Sequence, residues 1–162
     1  MIKKQYFKAI FLLLNLGLIT ITSCQQSNVF DSVQPIPIEG FGYSDSLVYD
    51  VKINDTAAHY NLYITLRHKA TYPYSNLWLK VGTRLPDNSY TSKDLSLPLC
   101  ELSGKWYGTT IADIVSQKIS IQPNATLSQG GVYTFSIMQN SRDSLVSDLL
   151  EMGIRLERIQ PI

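Results

Sequence analysis

Histidine and cysteine are the residues on which a reactive site could be built here, and the chain holds few of either. His59 and His68 lie nine positions apart near opposite ends of one alternating segment. On an extended strand that separation is about 30 Å, so the two imidazoles cannot share a metal ion. The cysteines are Cys24 and Cys100. A disulfide is the first expectation for an exported chain, but Cys24 stands at a processing site that would consume its sulfur. Cys100 is then a lone thiol, read as a buried small apolar residue. Serines are numerous, yet no G-x-S-x-G elbow, H-E-x-x-H helix, paired-cysteine knuckle or phosphate loop is present. A serine–histidine–acid triad could be drawn on any fold with this many serines, so its possibility means little. The reading is of a chain that is not an enzyme, with no catalytic residue, no metal and no cofactor.

The chemistry that does have a motif is acylation of Cys24. Residues 1–23 divide as a signal peptide does, into a basic start with Lys3, Lys4 and Lys8 and an apolar run, Ala9 to Ile21. The leader closes on Ile21-Thr22-Ser23-Cys24: a branched aliphatic residue, two small residues, then cysteine. That pattern is a lipobox, with cleavage after Ser23 and a diacylglyceryl group on the Cys24 sulfur. Each buried methylene contributes about 0.8 kcal/mol, so two or three acyl chains hold a protein at a bilayer essentially permanently. The mature chain needs no spanning helix and shows no candidate for one.

Charge narrows the partners. The chain has 14 Lys plus Arg against 13 Asp plus Glu, and three of the bases but none of the acids precede Cys24. The mature portion is therefore slightly acidic, which excludes a general nucleic-acid binder, because phosphate neutralisation needs a concentrated basic face. Ten Tyr, five Phe and two Trp point to a domain packed around aromatic rings.

The elements that must position any site are strands. Residues 24–43 are polar and carry Pro35 and Pro37, which reads as the lipidated cysteine followed by an extended tether. Residues 44–162 read as one β-domain. Leu47, Tyr49, Val51 and Ile53 share a face, as do Leu62, Ile64 and Leu66, and then Leu77, Leu79 and Val81. Pro86-Asp87-Asn88 signals a turn into a returning strand, Ser89 to Leu97. Ile119 and Ile121, then Tyr133, Phe135 and Ile137, then Ile154 and Leu156 continue the period of two. About seven to eight strands with one apolar face each suit an all-β, two-sheet antiparallel sandwich. Thr110–Gln117 and Ser144–Glu151 are expected to form short helical turns.

Alternation also sends aromatic and cationic side chains outward. Tyr63, Arg67 and Trp78 fall opposite the apolar positions of what read as neighbouring strands, a grouping typical of contact surfaces. Trp106 and Tyr107 sit in a glycine-flanked stretch, Ser103 to Gly108. These five are the candidate partner-binding residues. The alternative is a carbohydrate-binding envelope module that uses Tyr63, Trp78 or Trp106 as a sugar platform. Four tripeptides of Asp, then Ser or Thr, then an aliphatic residue resemble O-glycosylation sites of exported Bacteroidetes proteins. Ser32 and Thr56 are the best placed of these, being expected in loops.

Three blocks carry a wider resemblance: "YNLYITLRHKATYPYSNLWLKV" (60–81), "SGKWYGTTIAD" (103–113), and "GGVYTFSIMQNSRD" with "EMGIRLER" (130–158). Together, and in this order behind a lipobox, they resemble the GldH family of gliding-motility lipoproteins. Arg67 through Tyr72-Pro73-Tyr74 to Asn76-Leu77 is the most distinctive stretch. The resemblance implies a Bacteroidetes source and an outer-membrane lipoprotein that works with other envelope proteins of the gliding apparatus and its associated secretion system. It implies no chemical activity. Gln25-Gln26-Ser27-Asn28 lacks the acidic run that resembles a surface-export signal in these bacteria, so a periplasm-facing domain is expected.

Overall fold

A computed structural model describes residues 28–159. The leader, the lipobox and Cys24 lie outside the described residues.

The described residues form eleven strands. They are β1 (Asn28–Pro35), β2 (Phe41–Gly42), β3 (Leu47–Ile53), β4 (His59–Lys69), β5 (Asn76–Arg84), β6 (Tyr90–Pro98), β7 (Thr109–Ile111), β8 (Ile114–Thr126), β9 (Gly131–Gln139), β10 (Leu145–Val146) and β11 (Leu149–Arg158). A five-stranded sheet runs β1-β11-β4-β8-β7 and a four-stranded sheet runs β3-β9-β5-β6, with β2 and β10 forming a short separate pair. All pairings are antiparallel. The two larger sheets face each other across one core that includes Ile64, Leu79, Ile137, Met152 and Ile154, each fully buried. This is the two-sheet antiparallel sandwich that the alternation implied.

The period-two segments form strands because each has one face to bury. In β3 the pattern is strict, with Leu47, Tyr49, Val51 and Ile53 buried and the residues between them exposed. The β5–β6 hairpin turns at Leu85–Ser89, where Asn88 adopts φ 67°, a conformation Asn tolerates better than most residues. Leu85 accepts from the Asn88 amide at 2.9 Å, and Asp87 Oδ1 accepts from the Ser89 amide at 2.9 Å.

Several expectations need correction. Residues 28–35 are not tether: they are β1, in register with β11 from Asn28↔Glu157 to Pro35↔Glu151. Ile36 is buried as well, so the sandwich already includes residues 28–36 rather than starting at 44. Proline is tolerated here because β1 is an edge strand and Pro35 is its last residue. Thr110–Gln117 is not helical. It spans β7, a turn at Ala112–Asp113 and the start of β8. Ser144–Glu151 is likewise β10, a turn and the start of β11.

The strands divide the loops between two ends. At one end β1 begins, β11 finishes, and the chain turns at residues 54–58, 85–89 and 127–130. At the other lie the crossover from β4 to β5, the segment between β6 and β7, and the segment from β9 to β10.

Candidate functional site

The second end carries the candidate site. After Lys69 the chain leaves the five-stranded sheet, crosses the top of the core and enters the four-stranded one at Asn76. Tyr72 anchors this crossover: its ring is buried, its amide donates to Lys69 O at 3.0 Å, and its hydroxyl donates to Asn76 O at 3.2 Å. Burial pushes the Tyr72 phenol well above its ordinary value, with the charge of Asp143 adding to the shift. Tyr74 packs edge-on against Tyr72 at 5.6 Å and stays half exposed.

The opposite wall is the segment after β9. Gln139, buried, donates through Nε2 to Asp143 O at 3.1 Å and Ser144 O at 3.3 Å, while its Oε1 accepts from the Ser141 amide at 2.8 Å. A buried amide thus folds residues 140–144 into a fixed bend, and the alternative of leaving it unpaired would be costly. The Tyr43 hydroxyl lies against the Ser141 and Arg142 carbonyl oxygens, 2.9 and 3.0 Å away. Asn140 N donates to Trp78 O at 2.9 Å, joining the bend to β5. Tyr74 donates its hydroxyl proton to Asp143, and that hydrogen bond, with the carboxylate charge behind it, raises the Tyr74 phenol.

Between these walls is a cleft of about 450 Å³ lined by Tyr72, Tyr74, Asn76, Trp78 and residues 140–143. Trp78 is 46% exposed although its neighbours Leu77 and Leu79 are fully buried. Asn76, which also lines the cleft, donates through Nδ2 to Ser96 Oγ at 3.0 Å. Asp143 is engaged by Tyr74, and Arg142 makes no ion pair among the described residues. An exposed indole, a phenol and an uncommitted guanidinium make a contact surface for a ligand with apolar and anionic parts. Among the described residues there is no group of three His, Cys, Asp or Glu placed to hold a metal.

The sequence-chosen residues do not gather at this cleft. Trp78 is in it. Tyr63 and Arg67 are on β4, in the other sheet, and therefore on the opposite outer face of the sandwich. Strands adjacent in sequence read as adjacent in space, but the crossover at 70–75 separates them. Both side chains also have partners: Lys118 Nζ lies 4.5 Å from the Tyr63 ring centroid, and Arg67 pairs with Glu151 at 2.9 Å. Trp106 is partly buried, edge-on to His68 at 4.7 Å. It fastens the segment between β6 and β7 rather than offering a flat platform. Tyr107 is exposed, but beside Pro98, Gly108 and Gln117 in a different depression. Ser32 lies within β1, half-buried and opposite Ile154, not in a loop. Thr56 is in an exposed loop, as expected.

His68 is fully buried, on the same face as Leu62, Ile64 and Leu66. Its Nδ1–H donates to Lys69 O at 2.8 Å, and its Nε2 accepts from Gln117 Nε2 at 3.2 Å, which also donates to Leu99 O at 3.0 Å. The ring is neutral and satisfied, and burial lowers its proton affinity. His59 is exposed at the far end of the same strand. Cys100 is only half-buried, its sulfur 4.0 Å from Ser75 O, so the fully buried thiol that was expected is not observed.

Sequence reasoning missed Tyr74, Asn140, Arg142 and Asp143 as site residues. The signal was present, since Tyr72-Pro73-Tyr74 and Asn140-Ser141-Arg142-Asp143 belong to the distinctive blocks, but only tertiary structure brings the two together.

Comparison with known proteins agrees with those blocks. A homolog named gliding motility lipoprotein GldH homolog, from Christiangramia forsetii, is 27% identical over 149 residues, 87% of this chain and 90% of that protein. Gliding motility lipoprotein GldH of Flavobacterium johnsoniae is 26% identical over 154 residues, 90% and 94% of the two chains. Among solved structures, a carbohydrate-binding module specific for non-crystalline cellulose overlaps 80% of this chain and 72% of its own, at 10% identity and a TM-score of 0.39. That likeness is too remote to carry an argument about ligands. The GldH lipoprotein model matches residues 28–156, a span that starts with the first strand and stops two residues short of the end of the last, and the chain belongs to the GldH lipoprotein family.

Proposed function

We propose that this gliding-motility lipoprotein is an assembly component of the gliding apparatus and its associated secretion machinery, and that it docks another envelope protein through the cleft at Tyr74, Trp78 and Arg142. The observation that supports this most is the exposure of Trp78 between two buried leucines, beside an Arg142 guanidinium that has no ion-pair partner among the described residues. Hot spots of protein interfaces are enriched in Trp, Tyr and Arg. The related proteins are named for gliding motility and not for a reaction, which accords with a role through contact rather than catalysis.

The remaining parts of the reading are anchorage through acylated Cys24, residence at the outer membrane, and a domain facing the periplasm. Thr56 is the better of the two candidate O-glycosylation positions, because its loop leaves the hydroxyl exposed. Of the three residues considered as sugar platforms, Lys118 lies over the Tyr63 ring and Trp106 is edge-on to His68, which leaves Trp78 as the exposed one.

The test is recovery of envelope proteins by crosslinking from native membranes, comparing wild type with Trp78→Ala and Arg142→Ala. Loss of the same partner in both variants, with thermal midpoints close to wild type, is the expected result. Unchanged recovery in both would overturn docking at this cleft.

A further inference from the structure

The position of β1 places the domain on its membrane. Asn28, the first residue of β1, stands four positions after Cys24. Even a fully extended chain covers only 3.3–3.6 Å per residue, so an acylated Cys24 lies within about 14 Å of that strand's start. Asn28 is in register with Glu157, near the end of β11. The anchor therefore joins the sandwich at the end that carries loops 54–58, 85–89 and 127–130. The aromatic cleft is toward the opposite end, on β5 and the segment after β9, with Trp78 seven positions before Leu85. At ~3.3 Å per residue that is a separation of about 23 Å.

The two ends also differ in charge. On the anchored end Asp55 pairs with Arg158 at 2.6 Å and Glu157 with Lys118 and Arg155, Asp87 is the other acid of the three loops, and most other loop residues are uncharged, such as Asn54, Thr56, Asn88 and Ser128. The cleft end carries Glu39, Asp45, Glu101, Asp113, Asp143 and Asp148 against Lys69, Lys105 and Arg142. An anionic bilayer surface repels the second end more than the first.

We infer that the sandwich is seated end-on on the bilayer, its three loops against the lipid headgroups and its cleft held about 23 Å away. The expectation of a tether that lifts the domain off the membrane gives way to direct contact with a lipid surface. This seating rests on acylation of Cys24 but not on what the cleft binds.

The test uses the full lipidated protein, purified from membranes and carrying Cys100→Ser, with intact mass reporting the diacylglyceryl group. A fluorophore is placed at Ser128→Cys in one sample and at Lys105→Cys in another, both exposed positions. Each is reconstituted into phosphatidylethanolamine–phosphatidylglycerol vesicles containing headgroup-nitroxide lipid. Strong quenching at residue 128, several-fold above that at residue 105, is expected. A 12-residue Gly-Ser insertion between Ser27 and Asn28 should bring the two values together. Equal quenching without the insertion, stronger quenching at residue 105, or a mass without lipid would each overturn the seating. Partner recovery is not read in this experiment, so failure of cleft docking and failure of seating remain distinguishable.

Discussion

Tyr74 and Asp143, 69 residues apart in sequence, are joined by a hydrogen bond from phenol to carboxylate across the mouth of the cleft. It links the crossover leaving one sheet to the bend leaving the other. Tyr74→Phe removes the proton donor and keeps the ring. The expected outcome is a thermal midpoint near wild type with reduced partner recovery, because the bend is also held by Gln139 and Tyr43 but its cleft-facing rim is released. Recovery equal to wild type would show that the rim's position does not matter for docking.

Burial predicts a sharp contrast between neighbours on β5. Leu79→Ala removes a fully buried side chain and should cost about 2–5 kcal/mol in urea denaturation. Trp78→Ala, two-sided to solvent and protein, should cost clearly less than that in the same experiment. A larger loss from Trp78→Ala would move the indole from contact surface to structural role.

Tyr49 is buried on β3 and donates to Met152 O on β11 at 2.6 Å, bridging the two sheets. Tyr49→Phe leaves that carbonyl without its donor and should cost about 1 kcal/mol. Burial pushes the Tyr49 phenol up to about 12. The unfolded chain releases the same proton near 10, so the native state binds more protons between these values. Stability should fall as pH rises from 10 toward 12, and less steeply in Tyr49→Phe. Identical alkaline profiles would contradict the burial of this hydroxyl.

His68 sets an acidic limit by the same logic with the opposite sign. Its folded proton affinity is lowered by burial, whereas the unfolded ring takes a proton near 6.5. Stability should be unaffected above that pH and decline as pH falls below it, until the folded ring itself protonates. Protonation would turn Nε2 into a donor facing the Gln117 amide. Chemical denaturation at pH 7.5 and 5.5 should show a smaller drop for His68→Leu than for wild type. An equal drop would assign the pH dependence elsewhere.

Gly153 lies under β1, where an added Cβ would collide with Ser32 O and Thr65 Oγ1. Gly153→Ala should therefore loosen β1 from β11, costing about 1–3 kcal/mol. Amide exchange in residues 28–35 should accelerate more than in β3. Uniform exchange across the sheets would mean that the strand adjusts without detaching.

The parts of this fold that could be read from sequence are the strands with one continuous apolar face. β3, β4, β5 and β9 each bury every second residue, and period two is visible in their composition. Where a polar residue occupies a buried position, the period is hidden. Gln117 is buried to meet His68, 49 residues away, so the start of β8 shows no apolar alternation. β11 is obscured differently: its register shifts between Leu149 and Glu151, so the apolar positions at its start fall out of step with Ile154 and Leu156. The inward side chains of β1 are only partly buried, which leaves a sequence as polar as a linker. The cleft was legible only in part. Trp78 could be read as outward, but its separation from Tyr63 depends on which sheet each strand joins, and strand alternation says nothing about that.

The pairing of β1 with β11 has a consequence for the order in which the molecule is made. A chain delivered across a membrane N-terminus first releases β1 at the outset and β11 last. Asp31 meets Arg155 across 124 residues of sequence, at 2.9 Å. Closing so long a loop early is disfavoured and brings no reward until the final strand arrives. The first strand must wait, unpaired, until the last has been made. A chain cut short before residue 149 has nothing to zip β1 into place and leaves the flank of β4 bare. Synthesis through β11 is thus read out at the opposite terminus, where only a completed chain can close the edge of the sheet with its own first strand.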